Sequence, residues 1–153
     1  MRWLGLLILA LVGGVLTYER TSYYRSKAEE YCTLAACLEV VYGEIDAFLS
    51  SPPKIEQALA GRSEIGIKER ATIVSSPSLA FDLPIEKRDA ERVFDYFEAL
   101  GKSHPQSERE KAKVLAAHLK KRGEEERDRL DARIRAIHLV YGTALACAVM
   151  LAV

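Results

Sequence analysis

Three cysteines are all that the sequence offers: Cys32, Cys37 and Cys147. An odd count excludes a closed disulfide framework. Each lies among apolar residues, so buried free thiols are expected. Proline is nearly as scarce, five residues in all, and none follows Pro105. Nothing therefore forbids one continuous helix to the last residue. Net charge is missing as well, because 22 Lys and Arg balance 22 Asp and Glu. That balance argues against a nucleic-acid protein built on a basic surface. No stretch alternates apolar and polar residues in the manner of a strand. Histidine is limited to His104, His118 and His138, none with a Cys or carboxylate at metal-ligand spacing. No nucleophile–base pair is legible, and neither catalysis, a cofactor nor a metal is expected. Gly61-x-x-x-x-Gly66 followed by Lys68 fails as a phosphate loop. Its Lys is one place late, the Ser/Thr is absent and no strand precedes it.

Charge is absent above all from the two ends. Trp3–Thr17 carries none, and neither does Ala136–Val153, where His138, Tyr141 and Thr143 are the polar exceptions. At about 1.5 Å per residue the first run is slightly short of the ~30 Å hydrocarbon core, so it would span with little tilt. Trp3 and Tyr18 are placed as interface anchors. A secretory signal peptide cut after Gly14 is the rival reading. The absence of an Ala-x-Ala site and the presence of Arg20, Arg25 and Lys27 count against it. Basic residues also precede the second run, from Lys120 to Arg135, and none follows it. Both basic flanks thus point the middle of the chain to the cytoplasm and both termini outward. The expected organisation is a transmembrane helix over 1–18, a cytoplasmic helical bundle over 19–135 and a second transmembrane helix over 136–153. Ala10/Gly14 and Ala144/Ala148/Ala152 would let the two spans pack closely in lipid.

What is there, in the middle, reads as all-α. Tyr31, Leu34, Leu38, Val41, Ile45 and Phe48 recur three and four apart, the stripe of an amphipathic helix that ends by Ser50-Ser51-Pro52-Pro53. A short helix over Lys54–Ala60, with Pro53 in its first turn and Gly61 closing it, would bury Ile55, Ala58 and Leu59. A helix within Glu64–Ser75 would turn Ile67, Ala71 and Val74 inward. Leu79-Ala80-Phe81 is expected to pack as an apolar plug. Ile85–Leu100 reads as the next helix, with Ala90, Val93, Phe94, Phe97 and Leu100 on one side and Gly101 as its stop. The short link that follows favours antiparallel neighbours, so the fold class is an antiparallel helical bundle flanked by the two spans.

The last helix is expected to start at Ser107-Glu108-Arg109-Glu110, a capping box. Ala112, Leu115 and Leu119 form its stripe, which resumes at Leu130, Ile134, Ile137 and Tyr141. Gly123 and Glu126 interrupt it, so the mixed-charge stretch Lys120–Arg135 is expected to leave the bundle and stand in water. Lys120, Lys121 and Arg122 are the first candidates for docking a partner. Gly101, Lys102 and Ser103 are the second. His104 is read as a loop residue, and His118 as a neighbour of the Leu115/Leu119 face.

The layout resembles the stage III sporulation protein AB family. The residues that carry the likeness are Leu38-x5-Glu44-Ile45, the proline-led Pro53-Lys-Ile-Glu-Gln-Ala-Leu, Leu100-Gly101-Lys102-Ser103 before a long helix, and Val140-Tyr141-Gly142 near the apolar tail. The likeness extends over nearly the whole chain. It departs from the family pattern in a shorter Arg62–Pro84 region and in His104-Pro105 after Gly101. The resemblance implies a cytoplasmic domain like that of type II secretion F-type platform proteins. It implies a place in the mother-cell membrane around the forespore, in a channel-like sporulation complex. The implied partners are other stage III sporulation proteins, above all the AA ATPase, with self-association left open and no enzymatic activity. A type II secretion or pilus inner-membrane platform is the alternative, as is a membrane-tethered regulator of a soluble factor.

Overall fold

The computed structural model describes the backbone of residues 2–48 and 51–152, and the side chains of 14, 18, 19, 21–45, 51–64 and 66–144. Five α-helices are present: α1 Arg2–Phe48, α2 Pro52–Ala60, α3 Ile65–Arg70, α4 Lys87–Ala99 and α5 Pro105–Ala152. Two 3₁₀ segments, Ala71–Ile73 and Pro77–Asp82, join α3 to α4. No strand occurs among the described residues. The chain divides into two compact units, Lys27–Glu124 and a second made of Met1–Ser26 with Glu125–Val153.

Lys27–Glu124 holds the apolar core. The expected α1 stripe is its spine: Tyr31, Leu34, Leu38, Val41 and Ile45 are all buried. Phe48, the last member expected, has its side chain outside the described residues. Ile55 and Leu59 of α2 are buried, and Ala58 is half-buried. Pro52 and Pro53 occupy the first turn of α2, where a missing N–H leaves no bond unmade. Gly61 closes it by donating to the Gln57 carbonyl at 3.0 Å. Val93, Phe97 and Leu100 come from the α4 side of the core, Ala112, Ala116 and Leu119 from α5. The pattern follows from period: a residue every three or four positions stays on the face turned to the other helices.

Three local expectations are corrected. The helix expected within Glu64–Ser75 is α for six residues only, then tightens to 3₁₀ at Ala71–Ile73. The tightening still turns Ile67, Ala71 and Val74 inward. The Leu79-Ala80-Phe81 plug buries only Ala80. Leu79 and Phe81 are 38% and 47% exposed, and Phe81 rests on Phe94 with ring centroids 5.3 Å apart. The last helix begins at Pro105, two residues before Ser107, so Ser107 and Glu110 do not form its cap. Instead the Glu108 carboxylate reaches back, and its Oε1 accepts the Ser103 N–H at 2.8 Å. Proline at the first helical position, with φ already set, outweighs the downstream capping box.

Gly123 carries the largest correction. It is buried, and α5 does not leave the core there. A methyl group built on it would stand 2.9 Å from Cys32 Sγ, 3.3 Å from Tyr31 Cβ and 3.4 Å from the Ala28 carbonyl oxygen. The glycine is thus a point of close approach between α5 and α1 within Lys27–Glu124, where a side chain would displace its neighbours.

In the second unit, Glu126 is 2% exposed and accepts a hydrogen bond from Arg129 Nη1 at 3.1 Å. It too is a packed residue, not the water-facing one expected. The Arg133 guanidinium lies 4.2 Å above the Tyr24 ring, a cation–π contact. Further along α5, Leu139 and Val140 are 69% and 65% exposed. Most side chains of the expected spans over 1–18 and 136–153 lie outside the described residues, Trp3 and Cys147 included. Among the described residues no helix is long and apolar enough to cross a membrane.

Candidate functional site

Four groups from α1, α4 and α5 meet at Asp89, and all of them belong to Lys27–Glu124. Asp89 sits in the first turn of α4 and is 3% exposed. The Tyr31 hydroxyl donates to its Oδ2 at 2.7 Å and accepts the Glu86 N–H at 3.1 Å. That second bond occupies the backbone just before α4, at Glu86, where no side chain caps the helix. Arg122 Nε donates to Oδ2 at 3.4 Å, and its Nη2 pairs with the Glu86 carboxylate. Lys27 Nζ lies 3.6 Å from the other Glu86 oxygen.

His118 Nε2 lies 2.9 Å from Asp89 Oδ1 and 2.8 Å from Arg92 Nη1. One ring nitrogen holds either a proton or a lone pair. It donates to Asp89 in one tautomer and accepts from Arg92 in the other. Burial acts to raise the Asp89 carboxyl. The hydrogen bonds from His118 and Tyr31, with the charges of His118 and Arg122, outweigh it and hold the group below its ordinary value. Burial pushes the Tyr31 hydroxyl far upward. This phenol stays neutral and its oxygen is engaged on both sides, so it is a positioning group and not a nucleophile.

A second polar contact closes the same unit. Arg70 grips Glu30 through Nε at 2.6 Å and Nη2 at 2.8 Å, a bidentate pair that ties α3 to α1. The Glu30 hydrogen bond raises the Arg70 guanidinium further above its ordinary value. Burial, followed by the Glu30 carboxylate, pushes the nearby Cys37 thiol up to about 12, which leaves it unreactive. Among the described residues no three His, Cys, Asp or Glu are placed to hold a metal.

The expected docking residues separate into two places and two kinds. Lys120 and Lys121 are exposed on α5. Arg122 is not like them: its side chain is 18% exposed and committed to Glu86 and Asp89. Gly101 and Lys102 are exposed, and Ser103 is half-buried. Gly101 takes φ 82°, a conformation that a side chain would strain, and this reverses the chain between α4 and α5. Lys120 lies roughly 20 Å along α5 from the start of that helix, so the loop and the lysine pair are distinct surfaces.

The loop borders a cavity of about 300 Å³ that sequence reasoning missed. Tyr96 and Glu108 line it, both more than nine-tenths buried. The Tyr96 hydroxyl and Glu108 Oε2 have no hydrogen-bond partner. Burial, with the Glu108 charge adding to it, raises the Tyr96 hydroxyl and keeps it neutral. No local signal marks either residue, since each looks like one more member of a helical face.

The chain matches no protein-family model, no curated protein and no solved structure.

Proposed function

We propose that the chain is a non-enzymatic membrane platform, a helical unit anchored by apolar helices at both ends that docks a cytoplasmic ATPase. In its finer form the platform belongs to the sporulation channel between mother cell and forespore, and the ATPase is stage III sporulation protein AA. The resemblance of the sequence to the AB family supports that form. The observation that carries the anchoring is on α5. Charge stops at Arg135, and the large apolar residues beyond it, Leu139 and Val140, are left exposed at 69% and 65%. Water penalises such a run, whereas lipid tails accept it. The basic residues before it set the cytoplasmic side.

Docking is assigned to Lys120 and Lys121, which are exposed and close to the basic flank. The test is co-purification of the ATPase with the full chain in membranes, at low and high salt. Lys120→Glu with Lys121→Glu should reduce the captured ATPase severalfold at low salt, and salt should reduce it for the native chain as well. Arg122 is left intact, because its reversal would disturb Asp89. Equal capture by the double variant at both salts would move docking to the Gly101–Ser103 loop. A reporter fused after Val153 should be active outside the cytoplasm. Cytoplasmic activity there would rule out the second span.

A further inference from the structure

His118 Nε2 has two neighbours that it cannot serve at once. It lies 2.9 Å from Asp89 Oδ1 and 2.8 Å from Arg92 Nη1. The carboxylate only accepts and the guanidinium only donates. The bond to Asp89 therefore needs a proton on Nε2, and the bond to Arg92 needs a lone pair there. Asp89 is fixed in place: its side chain is 5% exposed, and Oδ2 takes the Tyr31 hydroxyl and Arg122 Nε. Arg92 is 43% exposed, and its Nη1 stands 3.8 Å from Asp89 Oδ1. When one of the two must give way, it is the exposed arginine.

The surroundings keep both partners charged while an imidazole titrates. The Asp89 carboxyl lies below its ordinary value, so it is ionised throughout that range. From α1, Tyr31 reaches the cluster through Asp89 and stays neutral. Lys27 of α1 and Arg122 of α5 both meet Glu86, the acid that precedes α4. On the solvent side, Arg92 lines two cavities along α4 and α5. Asp95, Glu108 and Lys111 share one of them, and Glu110 and Lys111 share the other. Asp95 and Glu110 are exposed, so a guanidinium displaced from His118 has water and carboxylates along the same wall.

We propose that His118 is a proton-operated latch between α4 and α5. With its single proton on Nδ1 the ring holds Arg92 through Nε2, and a second proton, taken at Nε2, commits the ring to Asp89 and displaces Arg92. The incoming proton occupies the place of the arginine N–H, and the ring then faces a guanidinium with a positive charge of its own. Both effects act against Arg92, and the new charge strengthens the bond to Asp89. The two helices stay tied, through a different pair. Acidification thus frees a guanidinium at the α4–α5 surface without unfolding the unit. The device lies wholly within Lys27–Glu124, and it stands whether or not the chain docks an ATPase at a membrane.

The test uses the full chain in detergent micelles, with ¹⁵N in its arginine and histidine side chains, at pH values of about 5 and 8 that bracket the imidazole range. Arg92→Lys identifies the Arg92 signals, and His118→Gln those of His118. At the higher pH the His118 spectrum should show a tautomer with bare Nε2, and the Arg92 Nη groups should rotate slowly about their bonds to Cζ. At the lower pH that rotation should be several times faster. His118→Gln should hold Arg92 alike at both pH values, because its amide offers a donor and an acceptor on separate atoms and does not titrate. His104→Gln and His138→Gln should keep the native response. The proposal is overturned if neutral His118 carries its proton wholly on Nε2, or if Arg92 rotates equally fast at both pH values. A response that survives in His118→Gln would belong to another group and sink the proposal too.

Discussion

Gly123 faces the Cys32 thiol so closely that a methyl carbon placed on the glycine would stand 2.9 Å from the sulfur. Alanine in a helix interior is ordinarily better than glycine by about 1 kcal/mol. Here Gly123→Ala should destabilise the protein despite that gain. Cys32→Ala should remove most of the penalty, because the group that the methyl meets first is gone. Denaturant unfolding of the full chain, with the four members of the double-mutant cycle, reads the coupling. A Gly123→Ala variant as stable as the native chain would show that the two helices separate at no cost.

Asp89→Asn should lower stability by about 2–3 kcal/mol near neutral pH, less than for a fully enclosed pair because His118 and Arg122 are partly exposed. The pH dependence has a definite sign. The folded-state carboxyl lies below its ordinary value of 3.8, so its stabilisation is fully present above that value. It is lost as the pH falls through the folded value. The gap in unfolding midpoint between Asp89→Asn and the native chain should therefore close on acidification. A gap constant down to the most acidic pH at which the chain stays folded would mean that the charge of Asp89 does not matter.

Arg122 and its two neighbours should part company. Arg122→Glu places an anion beside Glu86 and Asp89 and should cost about 2 kcal/mol or more. Lys120→Glu with Lys121→Glu should change stability by no more than about 0.5 kcal/mol. Hydrogen exchange of α4 amides distinguishes the cases: faster exchange with Arg122→Glu, native exchange with the lysine pair. Equal behaviour of the two variants would remove Arg122 from the Asp89 cluster.

Leu38 and Phe97 both belong to the core, and Leu38 is 1% exposed. Leu38→Ala should cost roughly 2–5 kcal/mol, depending on how far the site collapses. Leu38→Met should cost under about 1.5 kcal/mol. Urea titration of both variants checks the order. Reversal of that order would mean that volume is not what the site requires.

The helices were legible in the sequence where burial has a period. The α1 stripe from Tyr31 to Ile45 and the α4 stripe from Ala90 to Leu100 could be read because each needs only its own neighbours in sequence. Gly101 was legible as a stop because glycine alone takes its φ without strain. Gly123 was not legible as a packing residue. In a single sequence, a glycine inside a helical stripe looks the same whether it loosens the helix or admits a neighbour. Asp89 was hidden for a different reason. Its partners come from 58, 29 and 33 residues away, and on α4 it looks like one more solvated acid. Glu108 was read as part of a downstream cap because Ser107 and Glu110 make a complete local signal. The competing signal, Pro105 at the first turn, is one residue long.

Glu108 spends one oxygen, Oε1, on the Ser103 N–H and keeps the other, Oε2, buried without a partner. The α4–α5 turn is therefore closed by a carboxylate at half its capacity. What the bond to Ser103 contributes, the desolvated second oxygen partly gives back, so the turn is held by less net free energy than its short hydrogen bond suggests.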